Sequence, residues 1–331
     1  MSTGGFEFPQ ADLYFGAALS HHFSVYVDIA GFGKTGVASL ESAWVRVNDV
    51  GTNWVNLKLG VLELDLPVSM HRSYTLFSPF LIYGYHPTAS IDGFNLGDNQ
   101  LGFEVMGHAE GPGLRYSLAV TSSGDVASAA AVSAPTIYGH VTYTALLRSH
   151  VLPRIRAGAS GDIGFWPTTF EMLTPKGGMA APVSGTGTNQ KMHGHAGADL
   201  QLVFGELARP ITLTAVWMYG QENGGLIAGG TRDARFHGGF VQLDYTPILP
   251  LTFGARYDGV YNLQQADPTQ PDNANQQEAV TVFVRYAVLL ATWGSVVVHT
   301  EASTGNTENA ALPTGTAVRN TTVFGGFDFV L

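Results

Sequence analysis

Apolar and polar residues alternate with a period of two along most of this chain. Ile211, Leu213, Ala215, Trp217 and Tyr219 fall on one face of their segment while Thr212 and Thr214 fall on the other. Leu251, Phe253, Ala255, Tyr257 and Tyr261 alternate with Thr252, Gly254, Arg256, Asp258 and Asn262, and Val280, Val282, Val284, Tyr286 and Val288 alternate with Thr281 and Arg285. Successive side chains of a β-strand point to opposite faces, so the pattern predicts strands with one apolar and one polar side. Such segments begin near Asp12, Phe23, Ser39, Trp54, Gln100, Leu114, Thr136, Arg154, His193, Ile211, Phe236, Leu251, Glu278, Gly294 and Asn320, about fifteen in all. At roughly nine to twelve residues each, they have the length a tilted strand needs to cross a bilayer.

The connections alternate between short and long. Ser20 to His22, Asp49 to Asn53, Glu110 to Gly113, Arg148 to Pro153, Glu206 to Pro210, Thr246 to Pro250 and Ala291 to Trp293 are short. Leu62 to Asn99, Asp125 to Pro135, Gly164 to Met192, Glu222 to Arg235, Leu263 to Gln277 and Ser303 to Arg319 are long. Transmembrane β-barrels show this asymmetry, with short periplasmic turns at one end and long extracellular loops at the other. The expected fold is therefore all-β, a transmembrane antiparallel β-barrel of about 16 strands, occupying residues 1–331 as a single domain. Bacterial barrels usually have an even strand number, which asks for one strand more than the recognised set. Gly4 to Pro9 is the candidate for its remnant.

Composition removes the competing classes. Hydrophobic residues make up 45% of the 331 positions and charged residues only 13%, yet no apolar run approaches the ~18 residues of a membrane-spanning helix. The apolar surface is spread over strands instead. Cysteine is absent, which removes disulfides, thiolate metal sites and a CxxCH haem attachment. A formal charge of −10 argues against a nucleic-acid partner, whose binders are usually basic. Met1 to Gly5 has neither the basic start nor the apolar core of a signal peptide, so a leader for export to the bacterial outer membrane is expected to lie upstream.

Taking the apolar face as lipid-facing assigns a set of charges to the lumen: Arg46, Lys58, Arg115, Arg154, Arg156, Arg256 and Arg285 with Asp28, Glu104, Asp162, Asp199, Asp244, Asp258, Glu301 and Asp328. On a lipid face near mid-bilayer each Arg or Lys would cost ~2–4 kcal/mol. The two signs are nearly balanced. This predicts either a hydrated pore of weak charge selectivity or a salt-bridged lumen that stiffens the wall.

The long connection 62–99 is too apolar to stand in water. Pro67, Pro79 and Pro87 oppose regular structure, while Tyr74, Phe77, Phe80, Tyr83 and Tyr85 offer packing area. It reads as a constriction loop folded into the lumen, with His71 and Arg72 near the narrowest point, or as a lid on the rim. The connection 164–192 is a second long loop. His193 and His195 share one strand face with Asp199; two imidazoles at this spacing need a further ligand supplied by the fold, and no metal is assigned on spacing alone. No GxSxG, HExxH or Walker motif is present, so neither an enzyme nor a cofactor is expected.

Two resemblances are carried by particular stretches of the chain. Val323-Phe-Gly-Gly-Phe-Asp-Phe-Val-Leu331 resembles the C-terminal assembly signal of bacterial outer-membrane β-barrels, with Leu331 where such strands end on Phe. The resemblance implies a porin in contact with outer-membrane lipid and lipopolysaccharide, passing small hydrophilic solutes, with a homotrimer as an assembly the class adopts. Ala11 to Ala30, Val55 to Ser69 and His71-Arg72 are similar to porin-like barrels that occur with c-type cytochromes. That likeness implies an alternative function, a sleeve holding a separate multihaem cytochrome across the membrane.

Overall fold

The computed structural model describes residues 11–31, 39–68, 80–85, 96–97, 99–122, 135–167, 190–206, 208–223, 231–269, 271–272, 276–291, 294–308 and 317–330. Fifteen strands form one sheet in sequence order. They are β1 (Ala11–Ser20), β2 (Phe23–Gly31), β3 (Ser39–Val47), β4 (Asn56–Leu62), β5 (Gln100–His108), β6 (Gly113–Ser122), β7 (Pro135–Leu146) and β8 (Arg154–Pro167), followed by β9 (Gln190–Phe204), β10 (Ile211–Glu222), β11 (Ala234–Ile248), β12 (Leu251–Gln264), β13 (Gln277–Ala291), β14 (Gly294–Glu308) and β15 (Ala317–Val330). Each strand is antiparallel to the next. The architecture is a single antiparallel meander. Among the described residues β1 and β15 are the two ends of the sheet; the further strand expected at Gly4 to Pro9 lies outside the described residues.

Most strand starts coincide with the alternation pattern to within a few residues. β4 begins at Asn56 rather than near Trp54 because the preceding turn uses those residues. Asn56 Nδ2 donates to Asn53 O (3.0 Å) and Met106 O (3.1 Å), and its Oδ1 accepts the Asp49 N–H (3.0 Å). One amide thereby closes the β3–β4 turn and ties it to β5.

Exposure is inverted relative to a water-soluble sheet. Val280, Val282, Tyr286 and Val288 of β13 are exposed while Thr281 is fully buried, and Trp217 of β10 is 53% exposed while its neighbours Val216 and Met218 are buried. Apolar side chains exposed at alternate positions on neighbouring strands make a continuous belt suited to hydrocarbon. Tyr143, Tyr245, Phe253 and Tyr286 are exposed near the end of the wall that carries the short connections. Aromatic girdles of this kind mark the level where lipid meets water.

The hydrophobic core lies inside the wall. Leu62, Leu64 and Leu66 continue from β4, and Phe80, Ile82, Tyr83 and Tyr85 flank a single 3-10 turn at Leu81–Tyr83. Both stretches pack against the inner face of the strands. That turn touches β11, β12 and β13, far from β4 along the sheet.

Candidate functional site

The inner face is not uniformly polar. On β10 Thr214 is followed by Val216 and Met218, and on β11 Phe236 and Phe240 precede Gln242 and Asp244 at the same parity. With Ala119, Tyr138 and Val260 these apolar side chains are almost fully buried, and they form the seat on which the long β4–β5 connection rests. Phe80 lies on Phe240 with ring centroids 4.3 Å apart, Tyr83 meets the same ring edge-on at 6.0 Å, and Tyr85 packs on Phe236 at 4.9 Å. Gly238 sits between Phe236 and Phe240, where a Cβ would come within 3.0 Å of Ile82 Cδ1 and 2.5 Å of the Gly259 carbonyl oxygen. Burying aliphatic or aromatic side chains stabilises this arrangement by ~1.5–3 kcal/mol each.

Irregular backbone inside a membrane barrel must find its hydrogen bonds in protein or in lumen water. The charged lumen residues supply them. Lys58 Nζ donates to Glu63 O (3.0 Å) while it pairs with Glu104 Oε2 (3.2 Å). Tyr138 OH donates to Asp65 O (3.0 Å), Arg156 Nη2 to Pro67 O (2.7 Å), and Arg115 Nη2 reaches Asp65 Oδ1 (2.6 Å). His140 stands between two carboxylates, Asp65 Oδ2 at 3.3 Å and Asp199 Oδ2 at 3.1 Å. The second leg is held in the same way: the Leu81 N–H donates to Asp258 Oδ1 (3.4 Å) and Tyr85 OH to Asn262 Oδ1 (2.7 Å). Burial raises the phenol pKa of Tyr83 and Tyr85 above the ordinary tyrosine value, so both stay protonated; Tyr85 donates to Asn262, and the Tyr83 hydroxyl accepts the Val68 N–H (3.4 Å).

Below the Leu62–Val68 leg, toward the end with the short connections, lies a cavity of about 590 Å³. Arg46, Lys58, Arg115, Arg154 and Arg156 line it together with Glu63, Asp65, Glu104 and His140. Among the described residues Arg154 has no carboxylate partner within ion-pair distance. The other lumen candidates are placed differently. Arg256 and Asp258 are fully buried, paired at 2.6 Å, and the Arg256 guanidinium lies 4.3 Å from the Phe80 ring. Asp28 and Glu301 are also buried on the inner face, whereas Asp244 and Arg285 are partly exposed. Thus the charges that line the cavity also hold the Leu62–Val68 leg, and the buried Arg256–Asp258 pair sits against the second leg. His71, Arg72, Tyr74 and Phe77, the side chain of Asp328 and most of the loop 164–192 lie outside the described residues.

Asp199 does not complete a cluster with His193 and His195. It sits four positions along its own strand from His195 and instead meets His140 and Arg156. The carboxylate that reaches both imidazoles is Asp162, the direct cross-strand neighbour of His195 on β8. Residues two apart on a strand stand further from each other than from the partner opposite, so register decides which acid is met.

No protein-family model matches the chain, and no curated protein matches it in sequence. Solved structures do match in fold. The outer membrane channel DcaP of Acinetobacter baumannii is 11% identical over 98% of this chain and 85% of that one, with a TM-score of 0.57. A loop L8 deletion mutant of OmpT, an outer membrane protein of Vibrio cholerae, is 12% identical over 97% and 90%, with a TM-score of 0.56. This is a bacterial outer-membrane β-barrel fold. An anion-selective porin from Comamonas acidovorans shares it at 12% identity, over 96% of this chain and 83% of that one, with a TM-score of 0.54. The charged cavity lies toward the end of the wall that carries the short connections, with the seat of the β4–β5 loop on its other side.

The alternation pattern does not single out the seat residues Val216, Met218, Phe236 and Phe240. Their signal is nonetheless present: each is an apolar residue at a parity otherwise held by Thr, Gln and Asp. On one strand such a break looks like noise, and it gains meaning only when adjacent strands place the breaks side by side.

Proposed function

We propose that the protein is a channel of the bacterial outer membrane that passes small hydrophilic solutes with weak charge selectivity and performs no chemistry on them. The observation that carries this reading is the vestibule of about 590 Å³ lined by both signs of charge beneath an infolded, side-chain-anchored segment. A mixed-charge, water-accessible lining lowers the barrier for polar solutes without creating a tight site for one of them. Five lining cations stand against the carboxylates of Glu63, Asp65 and Glu104, so the selectivity leans toward anions. Small polar solutes are the substrates, lipid and lipopolysaccharide surround the apolar belt, and a homotrimer is the proposed assembly. OmpT of Vibrio cholerae has been solved in a trimer form.

A sleeve around a multihaem cytochrome is the weaker reading, because the legs Leu62–Val68 and Phe80–Tyr85 occupy space that such a partner would need. The test is planar-bilayer conductance of the refolded, detergent-purified chain under a KCl gradient. Ohmic single-channel steps with a reversal potential displaced modestly toward chloride support the channel. A folded, heat-modifiable protein that inserts but never conducts overturns it.

A further inference from the structure

On the lumen side of β8 and β9, three metal-ligating side chains converge outside the lining of the charged cavity. Asp162 is the direct cross-strand partner of His195, and Gly164 that of His193. Asp162 Oδ1 lies 2.8 Å from His195 Nδ1 and its Oδ2 lies 3.4 Å from His193 Nδ1. The side chains of Asp162, His195 and His193 are 0%, 6% and 1% exposed, and one donor atom from each lies within 4.8 Å of the others. A first-row divalent ion with bonds of ~2.0–2.2 Å sits between donors roughly 3–4.4 Å apart. The observed spacings need only small imidazole rotations to reach that range.

The surrounding wall is shaped for the two rings. A Cβ at Gly164 would stand 2.3 Å from His193 Nε2, and one at Gly220 would stand 2.7 Å from His195 Cδ2. Two glycines therefore leave open the space the imidazoles occupy. Thr136 Oγ1 lies 3.4 Å from His193 Nε2. With Nδ1 on a metal, Nε2–H donates to that hydroxyl, an outer hydrogen bond of the kind that fixes ring orientation in metal sites. Glu222 is the cross-strand partner of His193 on β10 and shares its face, which brings a second carboxylate to the same patch.

We propose that Asp162, His193 and His195 form a binding site for a divalent transition-metal ion, Zn²⁺ or a neighbour that accepts imidazole and carboxylate. The ion clamps β8 to β9. His195 packs on Phe236 at 5.6 Å and Phe236 on Tyr85 at 4.9 Å, so the clamp bears on the seat of the infolded loop. The site does not depend on which solute crosses the lumen.

The refolded full chain, stripped with EDTA, is titrated with ZnCl₂ by calorimetry, and metal content is measured after gel filtration. The expected result is one Zn²⁺ per chain, with affinity reduced at least ~10-fold in Asp162→Asn and His193→Ala and retained in His21→Ala/His22→Ala, a control for the histidine pair in the β1–β2 turn. Heat-modifiable gel mobility checks that each variant folds; if His193→Ala does not, His195→Gln takes its place. X-ray absorption of the loaded wild type is expected to show imidazole and oxygen ligands. The proposal is overturned if the wild type binds no stoichiometric Zn²⁺, if binding survives loss of these ligands, or if it vanishes with His21 and His22.

Discussion

Phe80 rests on Phe240 with ring centroids 4.3 Å apart and planes tilted by 32°, joining the long β4–β5 connection to a distant part of the wall. The same Phe80 ring carries the buried Arg256 guanidinium at 4.3 Å. An apolar contact and a cation–π contact thus meet at one side chain of the infolded segment.

Removing the platform should release that segment. Phe240→Ala deletes the ring under Phe80 and Tyr83, a loss of ~3–5 kcal/mol for a buried aromatic. The strand keeps its lipid-facing residues, so the barrel should still fold. Single-channel conductance is expected to rise relative to the wild type, and an unchanged conductance would show that this segment does not set the bore.

Asp258→Asn tests the anchor. The substitution weakens the acceptor of the Leu81 N–H and puts a neutral amide where the buried Arg256 now meets a carboxylate at 2.6 Å. Breaking a buried pair from one side costs ~3–5 kcal/mol. The temperature at which the folded band disappears in a heat-modifiability gel should fall clearly. Replacing both members of the pair with apolar residues, Arg256→Met together with Asp258→Leu, should recover part of the loss.

Arg154 is the cation of the vestibule whose reversal disturbs least, since it has no ion pair among the described residues. Arg154→Glu changes the lining by two charge units. The reversal potential under a KCl gradient should move toward potassium, and the shift should shrink as ionic strength rises, because screening shortens to ~3 Å at 1 M salt. No movement in reversal potential would place the ion path elsewhere.

Val282 on β13 tests the lipid belt from outside. It is 51% exposed with buried Thr281 beside it. Val282→Arg should cost ~2–4 kcal/mol if the position sits near mid-bilayer. Urea titration in lipid vesicles reads this directly. Thr281→Val, on the inner face, should leave the lipid-facing side unaffected.

Strand identity was legible in the chain because each strand reports its own environment. The pairs Phe253/Gly254 or Val280/Thr281 need no distant residue to show which side meets lipid. The candidate site was legible in part. Phe80 packs on Phe240, and Arg256 and Asp258, read from parity as pore lining, are buried beside it. Parity says that a residue points inward; it does not say whether water or protein awaits it there.

The chain by itself determined an inside-out antiparallel wall, since period-two alternation is a local consequence of lipid on one face and polar lumen on the other. Only the tertiary structure decided what fills the lumen. Whether Asp162 or Asp199 meets His195 depends on cross-strand register, and whether Leu64 and Ile82 are buried depends on apolar positions contributed by Val216, Phe240 and Val260 on three separate strands. Those contacts join residues far apart in sequence, and their energy exists only once the sheet has brought its strands side by side.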